Sequence, residues 1–276
     1  MIACAPADAF LLPGYRRFLR VEPAGNDPAG RVLALLEDDL HAMAVELRHR
    51  DGIVTGVEAF MDRAPWTTCP GAQEALRRTF MGQPLREVTA RREKQANCTH
   101  LHDLAVLAAA HASDRAPQAY EIAVSDPDAG ERVLEIRGGG TALHRWVEQD
   151  GTLIEPLEIR GLSLLSLRDW ISGLSGARQE AARLLQWAGL VAHSRTYSDE
   201  EKRAALFHRP SCFTMQPERA GKAVGPAPME DFTRETPQRL DRLRTRFAVT
   251  RAGQGQEPEQ REEAPASTIK GDERWK

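Results

Sequence analysis

Two cysteines with polar neighbours are the residues of this chain best placed to do chemistry. Cys69 lies within the string PWTTCPGA, and Cys98 lies 29 positions later within NCTHLHDLA. Each string precedes or opens a run with helical periodicity, so each thiol is predicted at the start of a helix. The unpaired backbone N–H groups and the helix dipole at that position lower a thiol pKa. We therefore expect reactive or metal-binding thiolates.

Oxygen and nitrogen ligands are expected near the two thiols. The predicted ligand set combines a strand carboxylate, both thiols and a fourth ligand close by: Asp39, Cys69 and Cys98, with Glu37, His41 or His100. Zinc accepts sulfur, nitrogen and oxygen ligands tetrahedrally, and an open position is typical of catalytic zinc. Iron, alone or in an iron–sulfur cluster, fits less well, because two thiolates and a carboxylate are not the usual iron(II) oxygenase triad.

Histidines could carry protons at such a site. His41 is predicted on the same strand face as Asp39, because side chains two positions apart point the same way. It is therefore a candidate general base or ligand. His100 and His102 are two apart in the second helix and point in different directions, so one of them, taken here as His100, is expected to enter the site.

Other interpretations of the same residues remain open. Most free cysteines are small buried core residues, so Cys69 and Cys98 could be chemically inert. Metal-free thiol chemistry is a third interpretation. Tryptophans such as Trp66 and Trp187 could form the floor of an aromatic pocket, although tryptophan at this spacing is more often part of the core.

The composition is that of a soluble protein with an ordinary core. Of the 276 residues 41% are hydrophobic, and the formal net charge of -3 offers no basic excess for nucleic acid or an anionic membrane. No run approaches the roughly 20 apolar residues that span a bilayer, and no signal-peptide pattern is present. The four cysteines are too irregularly spaced for a disulfide framework. We expect a cytoplasmic protein with reduced thiols and a small-molecule substrate; the oligomeric state stays open.

The elements that position these residues predict an α+β fold. Strands are predicted by alternating side chains at residues 40–47, 53–60, 120–124, 132–137 and 141–148. Helices are predicted by apolar spacing at residues 72–79, 99–111, 164–174 and 177–191. The turn at Asp51 and Gly52 makes the first two strands a hairpin. We expect an antiparallel sheet with helices packed on one face.

The domain boundaries follow from changes in composition. Residues 1–30 are predicted to be an irregular lead-in because Pro, Gly, Asn and Asp cluster there. Residues 31–217 are predicted to form a single α+β domain, in which 31–116 are the core and 117–217 add strands and helices. Residues 218–276 are predicted to be a largely disordered tail, because few apolar residues are available to order them.

Two family resemblances rest on the cysteine strings. PWTTCPGA and NCTHLHDLA resemble the signature of a bacterial family catalogued only as a domain of unknown function, over most of residues 15–220. Residues 36–112 also resemble the U-type iron–sulfur cluster scaffold proteins. Those proteins place a cysteine at the start of a helix after two strands, and another in Cys-x-x-Leu-x-x-x-Ala. Cys69 matches their second cysteine and Cys98 their third.

The scaffold resemblance implies a common fold and departs from the family at two positions. The family's first cysteine, in Cys-Gly-Asp, aligns with residues 37–39, where Asp39 matches the aspartate and Glu37 stands in place of the thiol. Asn97 replaces the histidine that usually precedes the third cysteine.

These observations lead to three function hypotheses. The first is a metal-dependent enzyme, with zinc, of hydrolase or lyase type that acts on a small organic acid or aromatic compound. The metal would polarise an oxygen or activate water, with His41 or His100 moving protons. The second is a non-catalytic metal, sulfur or iron–sulfur carrier related to the scaffold proteins. The third is a binding module whose cysteines are inert.

Overall fold

The computed structural model describes residues 8–26, 28–91, 93–208 and 210–254. Within these ranges eight strands form one antiparallel sheet: β1 (Gly14–Asn26), β2 (Ala29–Asp38), β3 (Ala42–Arg50), β4 (Ile53–Arg63), β5 (Gln118–Ser125), β6 (Glu131–Gly138), β7 (Thr141–Gln149) and β8 (Thr152–Glu155). Their order across the sheet is β4-β3-β2-β1-β5-β6-β7-β8. Two four-stranded meanders therefore meet where β1 pairs with β5.

Alternation along the strands divides the apolar residues between the two faces of the sheet. In β1, Leu19 and Val21 belong to the large core, whereas Phe18 belongs to a separate cluster on the opposite face. Asp51 and Gly52 adopt φ angles of 51° and 73° between β3 and β4. Two consecutive left-handed residues are what a tight two-residue hairpin turn requires, so this predicted hairpin is confirmed.

Helices follow each meander. They are α1 (Ala72–Phe80), α2 (Leu85–Ala90), α3 (Thr99–Ala110), α4 (Arg168–Ser172), α5 (Gly176–Ala192), α6 (Asp199–His208), α7 (Pro217–Ala220) and α8 (Arg239–Gln254). α1 and α3 pack over the first meander and α5 over the second, on the same face. Cys98 is the N-cap of α3, at the helix start that was predicted for its thiol.

Over the first meander, the opposite face of the sheet is covered by the C-terminal part of the described chain. In α8, Leu243 and Phe247 pack with Phe18, Leu35 and the preceding Phe232. A few apolar side chains at helical spacing are enough to cover this narrow stripe. In the described ranges no helix is both long and apolar enough to cross a membrane.

The predicted α+β class with an antiparallel sheet is confirmed. The irregular lead-in is wrong for residues 14–26, which form the central strand β1. The disordered tail is wrong for residues 239–254, which form α8, and α8 adds a helix to the face that was expected to be bare. Residues 1–7 and 255–276 lie outside the described residues.

Candidate functional site

A buried cluster of Asp38, His41 and His100 forms the candidate site. Asp38, the last residue of β2, is its most heavily hydrogen-bonded side chain. Its Oδ1 accepts from the backbone N–H groups of Leu40 and His41 at 2.9 and 2.8 Å, and from His41 Nδ1 at 3.0 Å. Its Oδ2 accepts from the Tyr15 hydroxyl at 2.6 Å and from two guanidinium nitrogens of Arg17 at 2.9 and 2.7 Å. An ionised carboxylate has about four lone-pair sites, so these donors saturate it.

Strand register explains why these residues meet. Arg17 in β1 is the cross-strand partner of Asp38 in β2, and both side chains are completely buried. They share the sheet face of Leu19 and Leu36, which α3 and α5 cover. The Arg17 guanidinium also lies over the Trp187 ring of α5, 4.3 Å from its centroid. A buried charge pair of this kind persists because each charge compensates the other.

His41 and His100 form a stacked pair beside this carboxylate. Their ring centroids are 3.7 Å apart and their planes are inclined by 27°. His100 Nε2 lies 3.3 Å from the Arg17 guanidinium. Because arginine has only donors, His100 Nε2 must accept, and its proton is on Nδ1, which lies 3.4 Å from the Thr99 hydroxyl.

The environment separates the charge states of these groups. Burial acts to raise the pKa of the Asp38 carboxyl, but the electrostatic interactions with His41 and Arg17 and the hydrogen bond from His41 outweigh it and hold that pKa well below its ordinary value. Burial lowers the pKa of His100 far below its ordinary value, and the electrostatic interactions with His41 and Arg17 lower it further. Asp38 is therefore ionised and His100 neutral at physiological pH.

Both histidines line a large cleft between α3 and α5. Its volume is about 870 Å³, within the range of small-molecule sites. Its walls are largely apolar and include Met43, Trp66, Leu107, Leu184, Trp187 and Leu190. Among the described residues, His41 Nε2 has no hydrogen-bond partner. It is also not one of the fully buried atoms that lack a partner. The ring therefore has one nitrogen fixed by Asp38 and one available to a ligand.

The two carboxylates predicted as metal ligands, Glu37 and Asp39, do not lie in the cluster that contains His41 and His100. The Glu37 side chain accepts from the Arg239 guanidinium of α8 at 2.9 Å, and Asp39 is paired with Arg195. Adjacent residues of a strand point to opposite faces, so Glu37 turns away from the site that Asp38 enters. Residues 39–41 form the turn between β2 and β3, and the predicted strand face shared by Asp39 and His41 does not exist.

In the described part of the chain one group of His, Cys, Asp and Glu ligand atoms lies within 4.8 Å of one another. It consists of Asp38, His41 and His100. Neither Cys69 nor Cys98 belongs to it. The structure therefore brings together the two predicted catalytic histidines, while the four predicted metal ligands stay outside their cluster.

The three cysteines in the described part of the chain line the same cleft as neutral thiols. Cys69, Cys98 and Cys212 are free and contact the cavity. Burial raises the pKa of all three thiols, to about 12 for Cys98. The expected thiolates are therefore corrected, because loss of hydration outweighs the helix dipole at these positions. Thiols in this state behave as small apolar wall residues.

Sequence reasoning missed Tyr15, Arg17 and Asp38 as site residues. Tyr15 and Arg17 lie in the segment predicted to be irregular. The sequence signal for this site is an arginine that stands within an alternating strand pattern. Asp38 stands three residues before His41, a spacing that allows a carboxylate to reach an imidazole across a tight turn.

Part of this site lies in a segment that matches a known protein family. A family model described as a protein of unknown function (DUF2889) matches residues 26–113. This segment spans β2 to α3 and includes Asp38, His41 and His100, whereas Arg17 and Trp187 lie outside it. No curated protein and no solved structure matches the chain. The resemblance to the cluster scaffold proteins stays a prediction.

Proposed function

We propose that the cleft is the active site of an enzyme of hydrolase or lyase type that acts on a small, largely apolar organic acid derivative or aromatic compound. His41 is the general base. The saturated Asp38 carboxylate carries this proposal, because it fixes His41 Nδ1 as a donor and leaves Nε2 as the free lone pair at the cleft.

Each residue of the cluster has a role in proton transfer. His41 Nε2 takes a proton from water or from a carbon acid, and Asp38 stabilises the imidazolium that forms. Arg17 and the Tyr15 hydroxyl keep Asp38 ionised and in place. Neutral His100, with its proton on Nδ1, donates to the substrate oxygen that gains negative charge. Neighbouring groups with separated pKa values are typical of acid–base sites.

A zinc site is the second candidate, favoured by the convergence of Asp38, His41 and His100. Zinc bound there would polarise an oxygen or lower the pKa of a water molecule. Two contacts oppose it: the lone pairs of Asp38 are occupied, and the Arg17 guanidinium already donates to His100 Nε2. Metal analysis of protein purified without chelator decides between the metal-free and the zinc-dependent site. Zinc binding requires about one ion per chain in the wild-type protein, and the variants His41→Ala and His100→Ala should lose it.

The catalytic proposal is tested with two assays on the whole protein. One follows hydrolysis of p-nitrophenyl esters of increasing chain length, and the other follows exchange of α-hydrogens of carbonyl compounds in deuterated water. His41→Gln should lower the active rate by about 10²–10⁴-fold. His193→Gln is the matched control, because His193 pairs with Glu148 outside this cleft. No activity in either assay, or equal rates in both variants, would contradict the proposal.

A further inference from the structure

The same cleft has a second polar cluster, built around Glu180 of α5. The Glu180 carboxylate lines the cleft and accepts from the Tyr120 hydroxyl at 2.5 Å and from His111 Nε2 at 3.0 Å. His111 Nδ1 donates to Asp114 at 2.6 Å. Both nitrogens of His111 thus face carboxylates. The hydrogen bond to Glu180, together with that to Asp114, raises the pKa of His111 to about 9, so it is protonated at neutral pH.

Helix geometry sets the separation of the two clusters. His100 lies in the first turn of α3 and His111 caps its C-terminal end. On α5, Glu180 and Trp187 are seven residues apart and face the same cleft, which corresponds to about 10 Å along the helix axis. Leu184 lies between them and also lines the cleft. Between the polar group at each end, the α5 wall therefore combines the apolar Leu184 with Arg183 and Gln186.

Glu180 has hydrogen-bonding capacity left for a ligand. Its Oε1 accepts from Tyr120 and His111, whereas Oε2 has the His111 contact alone among the described residues. The side chain is 23% exposed, at the wall of the cleft. Two carboxylates, Glu180 and Asp114, share one histidine cation, so this end favours a donor or a positive group. Arg183, one turn further along α5, also lines the cleft and makes an anionic end group the alternative.

We propose that Glu180 binds the distal polar group of an elongated substrate, a hydroxyl or an amine at the end of the cleft opposite His41; on α5 the residues that line the two ends, Glu180 and Trp187, are about 10 Å apart along the helix axis. The substrate class is then an apolar carboxylic acid derivative that carries a hydrogen-bond donor at its far end. This inference rests on the proposed function, because His41 defines the reacting end.

Three eight-carbon acids test the inference by isothermal titration calorimetry: octanoate, 8-hydroxyoctanoate and octanedioate. Wild-type protein should bind 8-hydroxyoctanoate about tenfold more tightly than octanoate, the gain expected for a hydrogen bond to a charged group. Glu180→Gln should reduce this preference, and Glu180→Met should abolish it. Glu148→Gln should keep it, because Glu148 holds His193 in a similar way outside this cleft.

Several results would overturn the inference. The first is equal affinity of wild-type protein for octanoate and 8-hydroxyoctanoate, and the second is no binding of any probe. The third is tightest binding of octanedioate, which would assign the far end to Arg183. His41→Gln separates the two proposals. If it leaves ester cleavage unchanged while the hydroxyl preference persists, the catalytic role alone fails. If His41→Gln abolishes ester cleavage, but the wild-type protein does not prefer 8-hydroxyoctanoate over octanoate, the end-group inference alone fails.

Discussion

The two ends of the cleft use the same components in opposite ways. At the near end the Asp38 carboxylate is saturated by donors, and His41 offers a free nitrogen to the cavity. At the far end both nitrogens of His111 are engaged, and the Glu180 carboxylate faces the cavity. A histidine–carboxylate pair therefore does not define a function by itself. The partner that stays open to the ligand decides whether the pair suits proton transfer or binding.

The largest difference between the ends should appear in stability. Asp38→Asn leaves the fully buried Arg17 without its counter-charge, and we expect the free energy of unfolding to fall by about 3–5 kcal/mol. Glu180→Gln, at the partly exposed end, should cost about 1 kcal/mol. Urea denaturation of both variants measures the difference. Equal losses would show that the two pairs are equivalent.

The far end should show its own pH dependence. Because the folded pKa of His111, about 9, lies above the ordinary value, its stabilising effect is fully present below about pH 6.5 and is lost as the pH rises through about 9. His111→Gln should remove this alkaline loss. Unfolding free energies from about pH 6 to about pH 10 measure it, and an unchanged slope in the variant would contradict the contact geometry.

The near end should respond to pH in the opposite direction. The folded pKa of His100 is depressed by burial and by its electrostatic interactions with His41 and Arg17. Its contribution to stability is therefore present above the ordinary histidine value of about 6.5 and is lost as the pH falls toward the folded value. His100→Asn should make the acid limb shallower. If the acid limbs of wild type and variant coincide, His100 is not held neutral by the fold.

The smallest effect on the catalytic rate is expected one residue away from Asp38, on the other face of the sheet. Glu37→Gln weakens a pair with Arg239 that partly contacts solvent, so the cost should be about 1–2 kcal/mol. Its rate in the ester or exchange assay should stay within about twofold of wild type, because Glu37 does not face the cleft. A large loss of rate with preserved folding would connect the two faces.

Local patterns in the sequence predict much of the fold and part of the candidate site. The hairpin at Asp51, the helix after Cys98 and the meander of β5 to β7 follow from alternation, turn residues and helical spacing. His41 and His100 are indicated by their residue type, because imidazole chemistry suits proton transfer. These predictions depend on residues close together in the chain.

The missing parts depend on register and on distant contacts. The sequence pattern indicates Asp39 in place of Asp38, and a difference of one residue moves a strand side chain to the opposite face. Arg17 and Trp187 reach the cluster from β1 and α5, and Glu180 reaches the cleft from the second half of the chain. The folding of α8 depends on an apolar stripe of the sheet that local composition does not reveal.

The proposed catalysis depends on a His41 that has its proton on Nδ1, held by Asp38, and a free Nε2 at the cleft. Two-bond ¹H–¹⁵N correlation spectra of histidine-labelled protein at about pH 9, above the ordinary histidine pKa of about 6.5, test it most directly. We predict an Nδ1-protonated His41 whose signals do not change when EDTA is added. An Nε2-protonated His41, or His41 and His100 signals that shift when EDTA removes a metal, would contradict the account.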